Sequence, residues 1–188
     1  MINNKTTEFG SNNQVHGSVT QQIGNNTYND FSKNINIISR LPSNKKTSII
    51  QEILEGILDL GIKSQPIILD TKEYIIRDKV DYNKIKCYDT AFDFLMKDSQ
   101  LIEQRLNSLN NHKDPTSSQR LYTFVQRIYS KHCGQSDPDQ RILCICDEIK
   151  NDLIKYPNIS DEDTALIPVI VFYVFSKCHI FNKPPILI

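Results

Sequence analysis

The chain has 188 residues, in which 22 Lys and Arg residues balance 22 Asp and Glu residues, so its formal net charge at pH 7 is zero. A neutral chain lacks the net positive field that is typical of proteins binding nucleic acids or anionic membranes, so we expect neither kind of partner. No apolar run approaches the roughly 20 residues of a membrane-spanning helix, and the N-terminus lacks the apolar stretch of a secretory signal. The sequence therefore predicts a cytoplasmic protein with one domain of ordinary size and an additional segment.

The first 36 residues differ in composition from the rest of the chain. They hold nine of the 17 asparagines and three of the six glycines, and these glycines recur every seven residues. Three β-forming residues stand among the polar ones: Val15, Val19 and Ile23. The pattern predicts a short strand or hairpin, which buries too little apolar area to be ordered by itself. We therefore predict two parts, an Asn/Gly-rich segment at 1–36 and a helical assembly domain at 37–188, with the first part either paired in an assembly or a flexible tail.

Helical periodicity begins after Leu41. Between a capping Ser43 and a terminating Gly61, apolar residues recur at spacings of three and four, which predicts a helix with one apolar face. That face comprises Ile49, Ile50, Ile53, Leu54, Ile57, Leu58 and Leu60. Such a face is either core or interface. The following stretch, 64–76, contains a proline and no helical period, which predicts an extended connector.

Three further helices are predicted by the same periodicity. One long helix is expected from 77 or 81 to about 109, with Tyr82 on its apolar face, and a second from 117 or 118 to about 134. The third is expected from 138 to about 156, with Ile154 on its apolar face. Asp137, Pro138 and Gln140 form the D-x-x-Q pattern of a capping box at its start.

The apolar run at 165–175 is compatible with two structures. Ser160 followed by three acidic residues is typical of a helix start, whereas Pro168 and the β-branched residues after it favour a buried strand. We predict the helix because its cap and length fit, and a helix that is apolar on all sides belongs at the centre of a bundle. The predicted fold is mainly α, a helical bundle of about five helices preceded by a short Asn/Gly-rich β-strand or hairpin segment.

Sequence motifs of common catalytic chemistry do not occur. The chain has no phosphate-binding glycine loop, no nucleophile elbow and no zincin or zinc-deaminase motif. Its five cysteines predict buried free thiols, because an odd number in a cytoplasmic chain is no disulfide framework. Cys144 and Cys146 point to different sides of a helix, so a shared metal ion is not expected. We predict a protein that is not an enzyme and has no cofactor, metal or catalytic residue.

One enzymatic alternative stays open. A small metal-dependent nuclease or hydrolase would require carboxylates to converge around a divalent ion. The acidic residues at the predicted helix starts are the candidates for this role: Asp137, Asp139, Asp161 and Asp163. Capping of the helix starts explains the same residues without catalysis.

Four stretches of the chain have a distinctive combined pattern. They read YIIRDKVDYN at 74–83, RIY at 127–129, DPDQRIL at 137–143 and FSKCHIFNKP at 175–184. Together they resemble the small helical accessory proteins of bacterial ABC-three-component systems, the Lamassu-like antiphage group. The family pattern runs roughly Y-x-I-x-x-K-I-x-Y-N, a helix ending in I-Y, an aspartate-capped helix, and an apolar run closing with K-C-x-I-F-x-x-P.

The resemblance implies a non-catalytic docking subunit that links an effector to an SMC-like ATPase through protein–protein contacts. A homo-oligomer is a further possibility, and both a stand-alone subunit and a split or truncated effector stay open. The interaction surface is expected on the apolar residues of the N-terminal segment, of the first helix and of the C-terminal run. The candidates are Val15, Val19, Ile23, Ile53, Ile57, Phe175, Cys178 and Phe181.

Overall fold

The computed structural model describes residues 31–64, 75–177 and 179–185. These residues are mainly helical and include no β-strand. The elements in chain order are α1 (31–40), α2 (Ser43–Asp59), α3 (Ile76–Tyr82), α4 (Lys86–His112), α5 (Ser117–Lys131), α6 (Pro138–Leu153), a 3₁₀ helix (Asp163–Leu166) and α7 (Ile167–Ser176). The mainly α prediction is confirmed, whereas the predicted number of five helices is wrong.

Helix α1 is the first difference from the prediction. Its Phe31 and Ile38 lie two helical turns apart and are 2% and 0% exposed, so both belong to the core. The predicted boundary between residues 36 and 37 falls inside this helix. The predicted strand or hairpin otherwise lies on residues outside the described ranges, as does most of the predicted connector at 64–76.

The predicted long helix is two helices, α3 and α4, because the backbone turns at Lys84. Lys84 has a φ of 55°, in the left-handed region. The amide of Ile85 donates to the carbonyl of Val80, and the amide of Lys84 donates to the carbonyl of Asp81. This pair of bonds is the Schellman motif that ends helices, usually with glycine at the left-handed position. The helical periodicity did not predict this turn, because the usual sequence signal for it is a glycine and the chain has Lys84 at that position.

The helix ends follow the sequence signals in part. Gly61 has a φ of 67° just after α2, as predicted, but Ser43 is the first helical residue and Pro42 precedes it as the N-cap without a side-chain bond. At α6, the side chain of Asp137 accepts from the amide of Asp139, which confirms the cap. The side-chain amide of Gln140 donates to the Cys144 sulfur at 3.6 Å.

Helix α7 forms the centre of the bundle, as the sequence predicts. Residues 167–175 are all buried, and α7 packs against α4, α5 and α6. Pro168 lies in its first turn, where a missing amide proton costs no helical hydrogen bond. Ser160 and Asp163 bond reciprocally ahead of the 3₁₀ helix, so the start signal is real and the strand alternative is wrong.

One continuous apolar core joins the described elements. It contains a buried ion pair in which the Lys46 ammonium on α2 lies 2.7 Å from the Asp98 carboxylate on α4. Because each charge would be costly to bury alone, the pair ties these two helices in one arrangement. Within the described ranges, no helix combines the length and the apolar character needed to cross a membrane.

Candidate interaction surface

The segment that follows α7 is held to the bundle by Lys79 of α3. Lys79 is fully buried, and its ammonium donates to the carbonyls of Phe175 at 2.6 Å and Ile180 at 2.8 Å. The same ammonium lies 4.1 Å from the centre of the Phe175 ring. Carbonyls at a helix C-terminus lack helical partners and carry partial negative charge, so a buried cation is well placed there. Lys79 thus fixes the end of α7 and the chain beyond it.

Asn83 holds the next part of the C-terminal segment. Its side-chain amide donates to the carbonyl of Asn182 at 2.8 Å, and its side-chain oxygen accepts from the amide of Asn182 at 3.2 Å. The Schellman turn at Lys84 places Asn83 at the end of α3, facing this segment. These two bonds pair both the backbone amide and the backbone carbonyl of Asn182 with one side chain, in the way that a neighbouring strand would pair them.

Phe181 connects the C-terminal segment to three helices. Its ring lies 5.1 Å from that of Tyr129 on α5 and 5.8 Å from that of Phe175 on α7. The Arg141 guanidinium of α6 lies 5.4 Å from the Phe181 ring and donates to the Tyr129 hydroxyl at 3.3 Å. Phe181 is half-buried and has a φ of 62°, a conformation that costs a non-glycine residue about 1 kcal/mol and so depends on these contacts.

His179 lies deeper in the same segment. It is 8% exposed, and its ring stacks on that of Tyr122 with a centroid distance of 3.9 Å. The Tyr122 and Tyr173 hydroxyls are hydrogen-bonded at 3.1 Å. Burial, followed by the charges of Lys79, Lys183 and Lys177, lowers the pKa of His179 to about 4. The imidazole is therefore neutral at pH 7.

We call this arrangement of Lys79, Asn83, Tyr129, Arg141 and the segment 179–185 the C-terminal clamp. Each of the four stretches that carry the family resemblance contributes to it: 74–83, 127–129, 137–143 and 175–184. Comparison with protein-family models, curated proteins and solved structures gives no match for this chain. The C-terminal clamp is therefore interpreted from its own geometry.

The predicted contact residues occupy different environments. Ile53, Ile57 and Phe175 are buried in the core, so a partner would reach them only if the bundle opened. The expectation of an exposed apolar patch on α2 is therefore wrong at Ile53 and Ile57, because their face packs inside the chain. Phe181 is half-buried at the surface and stays a candidate. The remaining candidates lie outside the described residues: Val15, Val19, Ile23 and Cys178.

The sequence pattern predicted Tyr82 and Ile154 on the apolar faces of their helices, but the structure exposes both side chains. Tyr82 is 50% exposed and Ile154 is 65% exposed. Tyr82 is the last residue of α3 and Ile154 follows the last residue of α6, so neither continues the buried face of its helix. The periodicity predicted helices that continue beyond these two residues, and so it placed both side chains on the buried faces. Tyr82 adjoins Asn83 in the chain and belongs to the surface at the C-terminal clamp.

Lys79 and Arg141 are the site residues that sequence reasoning missed most completely. A lysine and an arginine on amphipathic helices are ordinarily solvated, and nothing in the local pattern marks them as partners of a distant segment. The sole signal was their place inside the stretches that carry the resemblance. Their role depends on contacts between residues that are far apart in the sequence.

The carboxylates considered for the nuclease alternative form hydrogen bonds or an ion pair near the helix starts. Asp137 accepts from the Asp139 amide, and Asp139 accepts from the Cys87 amide at the start of α4. Asp163 accepts from Ser160, and Asp161 lies 3.3 Å from the Lys150 ammonium. Among the residues that the structure covers, no group of three or more acidic, Cys or His side chains is arranged to hold a metal ion. The geometry gives this alternative no support.

The cysteines divide into two environments. Cys87 and Cys146 are free and buried, and loss of solvation raises the pKa of both thiols. The thiolate that nucleophilic catalysis requires is therefore disfavoured at both positions. Cys133 is exposed and Cys144 is half-buried, which corrects the prediction of burial for these two.

Proposed function

We propose that this protein is a non-catalytic assembly subunit that acts in the cytoplasm by protein–protein contact. In this proposal it links an effector to an SMC-like ATPase in an antiphage defence complex, as the resemblance implies. The observation that supports the proposal is the C-terminal clamp, in which the four stretches of the resemblance meet. They meet around one surface segment that carries Phe181.

The chemistry of this surface fits protein recognition. Interfaces are enriched in aromatic residues and arginine, and the C-terminal clamp has the half-buried Phe181 beside Tyr129 and Arg141, with the exposed Tyr82 on α3. The segment is held in one conformation by Lys79 and Asn83. A pre-organised surface loses less conformational entropy when it binds than a flexible one does.

Co-expression with the products of adjacent genes tests the proposal. We expect the wild-type chain to co-purify with a large coiled-coil ATPase or an effector, and Phe181→Asp to abolish this because an unpaired charge would enter the interface. Ile154→Asp is the matched control, since it makes the same chemical change at an exposed apolar residue in another part of the surface. That variant should still assemble.

Two further measurements make the test decisive. Far-UV circular dichroism must show that Phe181→Asp keeps the helical content, because Phe181 also packs on Tyr129 and Phe175. Asn83→Ala removes both bonds to Asn182 and leaves the aromatic contacts intact, and we expect it to weaken the complex. A wild-type chain that elutes alone as a monomer, or a Phe181→Asp chain that assembles normally, would overturn the proposal. Self-association of the wild-type chain would indicate the homo-oligomer.

A further inference from the structure

A surface pocket of about 470 Å³ lies between α5 and the C-terminal segment. Its volume is within the range of small-ligand sites. The lining residues are Thr123, Gln126, Arg127, Tyr129, Ser130 and His179. All six side chains carry hydrogen-bonding groups, and none is a carboxylate. The lining therefore favours a ligand that accepts hydrogen bonds.

Three of these side chains have hydrogen-bond donors without a partner among the described residues. Arg127 is exposed and forms no salt bridge there, and its one ring contact is with Phe124 at 6.0 Å. Gln126 has no side-chain hydrogen bond in the same ranges. The Tyr129 hydroxyl accepts from Arg141, which leaves its own proton to donate. By contrast, the hydroxyls of Thr123 and Ser130 donate to backbone carbonyls of α5.

His179 supplies a second, independent observation. Its Nε2 is buried and has no hydrogen-bond partner in the described part of the chain. A buried polar atom without a partner is costly, and such atoms in native proteins are few. A ligand in the adjoining pocket would contact this imidazole.

Among the described residues that line the pocket, Arg127 is the one charged residue, and its charge is positive. Lys79, Lys177 and Lys183 all act electrostatically on His179. Lys177 is paired with Glu103 at 2.6 Å, so those two charges compensate each other and the field comes from the remaining lysines. An anion entering the pocket would therefore meet a favourable field, and the guanidinium of Arg127 matches the two oxygens of a carboxylate or phosphate.

We propose that the pocket between α5 and the C-terminal segment binds an oxyanion, with Arg127 as its charged partner and Gln126 and Tyr129 as additional donors. The inference goes beyond the assembly role and does not depend on it. A free anion and the isolated full chain suffice to test it, so failure of either proposal leaves the other standing.

The test is calorimetric titration of the full chain with inorganic phosphate and, separately, with succinate. We expect saturable binding of at least one of them in the millimolar range or tighter, and the stronger of the two identifies a phosphoryl or a carboxylate ligand. Arg127→Gln should weaken binding at least about tenfold, because it removes a charge-assisted bidentate contact. Arg105→Gln, which makes the same change on α4 outside the pocket, should not.

Nuclear magnetic resonance of the imidazole provides the second measurement. We expect the ring signals of His179 to shift on titration with the anion that binds, and those of His112, which is exposed at the end of α4, to stay in place. Absence of saturable binding of both anions would overturn the inference. Equal losses in Arg127→Gln and Arg105→Gln would also overturn it, because they would indicate general screening of charge.

Discussion

His179 shows how one buried side chain makes stability depend on pH. Its ring stacks on Tyr122, and burial together with the neighbouring lysine charges lowers its pKa from 6.5 to about 4. Between these two values the unfolded chain binds the proton and the folded chain does not. The stabilisation is therefore fully present above about pH 6.5 and is lost as the pH falls towards about 4.

We expect His179→Phe to reduce the loss of stability between about pH 7 and about pH 4.5, because the variant keeps a ring on Tyr122 and has no proton to bind. Urea unfolding at both pH values measures the difference. His112→Phe is the control, since that imidazole is exposed and should leave the loss unchanged. An equal loss in the wild type and in His179→Phe would show that carboxylates alone carry the acid sensitivity.

At the scale of elements, α3 has a role larger than its seven residues imply. The Schellman turn at Lys84 ends it, and its Lys79 then reaches two carbonyls, on Phe175 and Ile180. A continuous helix from 76 to 112 would not make this turn. The short helix is therefore the connection between α4, which follows it in the chain, and the distant end of α7.

We expect Lys79→Met to lower the free energy of unfolding by about 3 kcal/mol, because two buried carbonyls lose their donor. Chemical denaturation of the purified chain measures the change. Lys86→Met makes the same substitution at an exposed residue in the first turn of α4 and should stay within about 0.5 kcal/mol of the wild type. A Lys79→Met chain as stable as this control would mean that the clamp does not depend on the lysine.

At the scale of the whole molecule, all described helices share one core. The central α7 contacts α4, α5 and α6, while α2 contacts α4, α5 and α6. Loss of any one of these helices would expose apolar surface on several others. The described part of the chain has no second core that could remain folded by itself.

We therefore expect a single cooperative unfolding transition. Far-UV circular dichroism would report the helices, and the near-UV tyrosine signal would report the packing of Tyr88, Tyr122 and Tyr173, which are buried in the core. The two curves should coincide in midpoint and steepness. An earlier transition of the near-UV signal would show that the packing around these tyrosines loosens before the helices unfold.

Much of the fold follows from local sequence patterns. Apolar residues at helical spacing predict α2, α5 and α6, and Ser160 with the apolar run after it predicts α7 as a central helix, because burial on all sides requires apolar residues on all sides. The pattern failed at Lys84, where a non-glycine residue adopts a left-handed conformation. It also missed α1, whose two deeply buried residues, Phe31 and Ile38, are too sparse to define a periodicity.

The candidate site could not be predicted in the same way. By itself the sequence determined a mainly helical, neutral chain without recognisable catalytic motifs, since composition and periodicity are local properties. Only the tertiary structure decided that Lys79 is buried and that Ile53 and Ile57 are core. It also decided that Arg127 and His179 line one pocket. These outcomes depend on which distant segments meet, and a side chain's burial, partners and pKa are set by those neighbours.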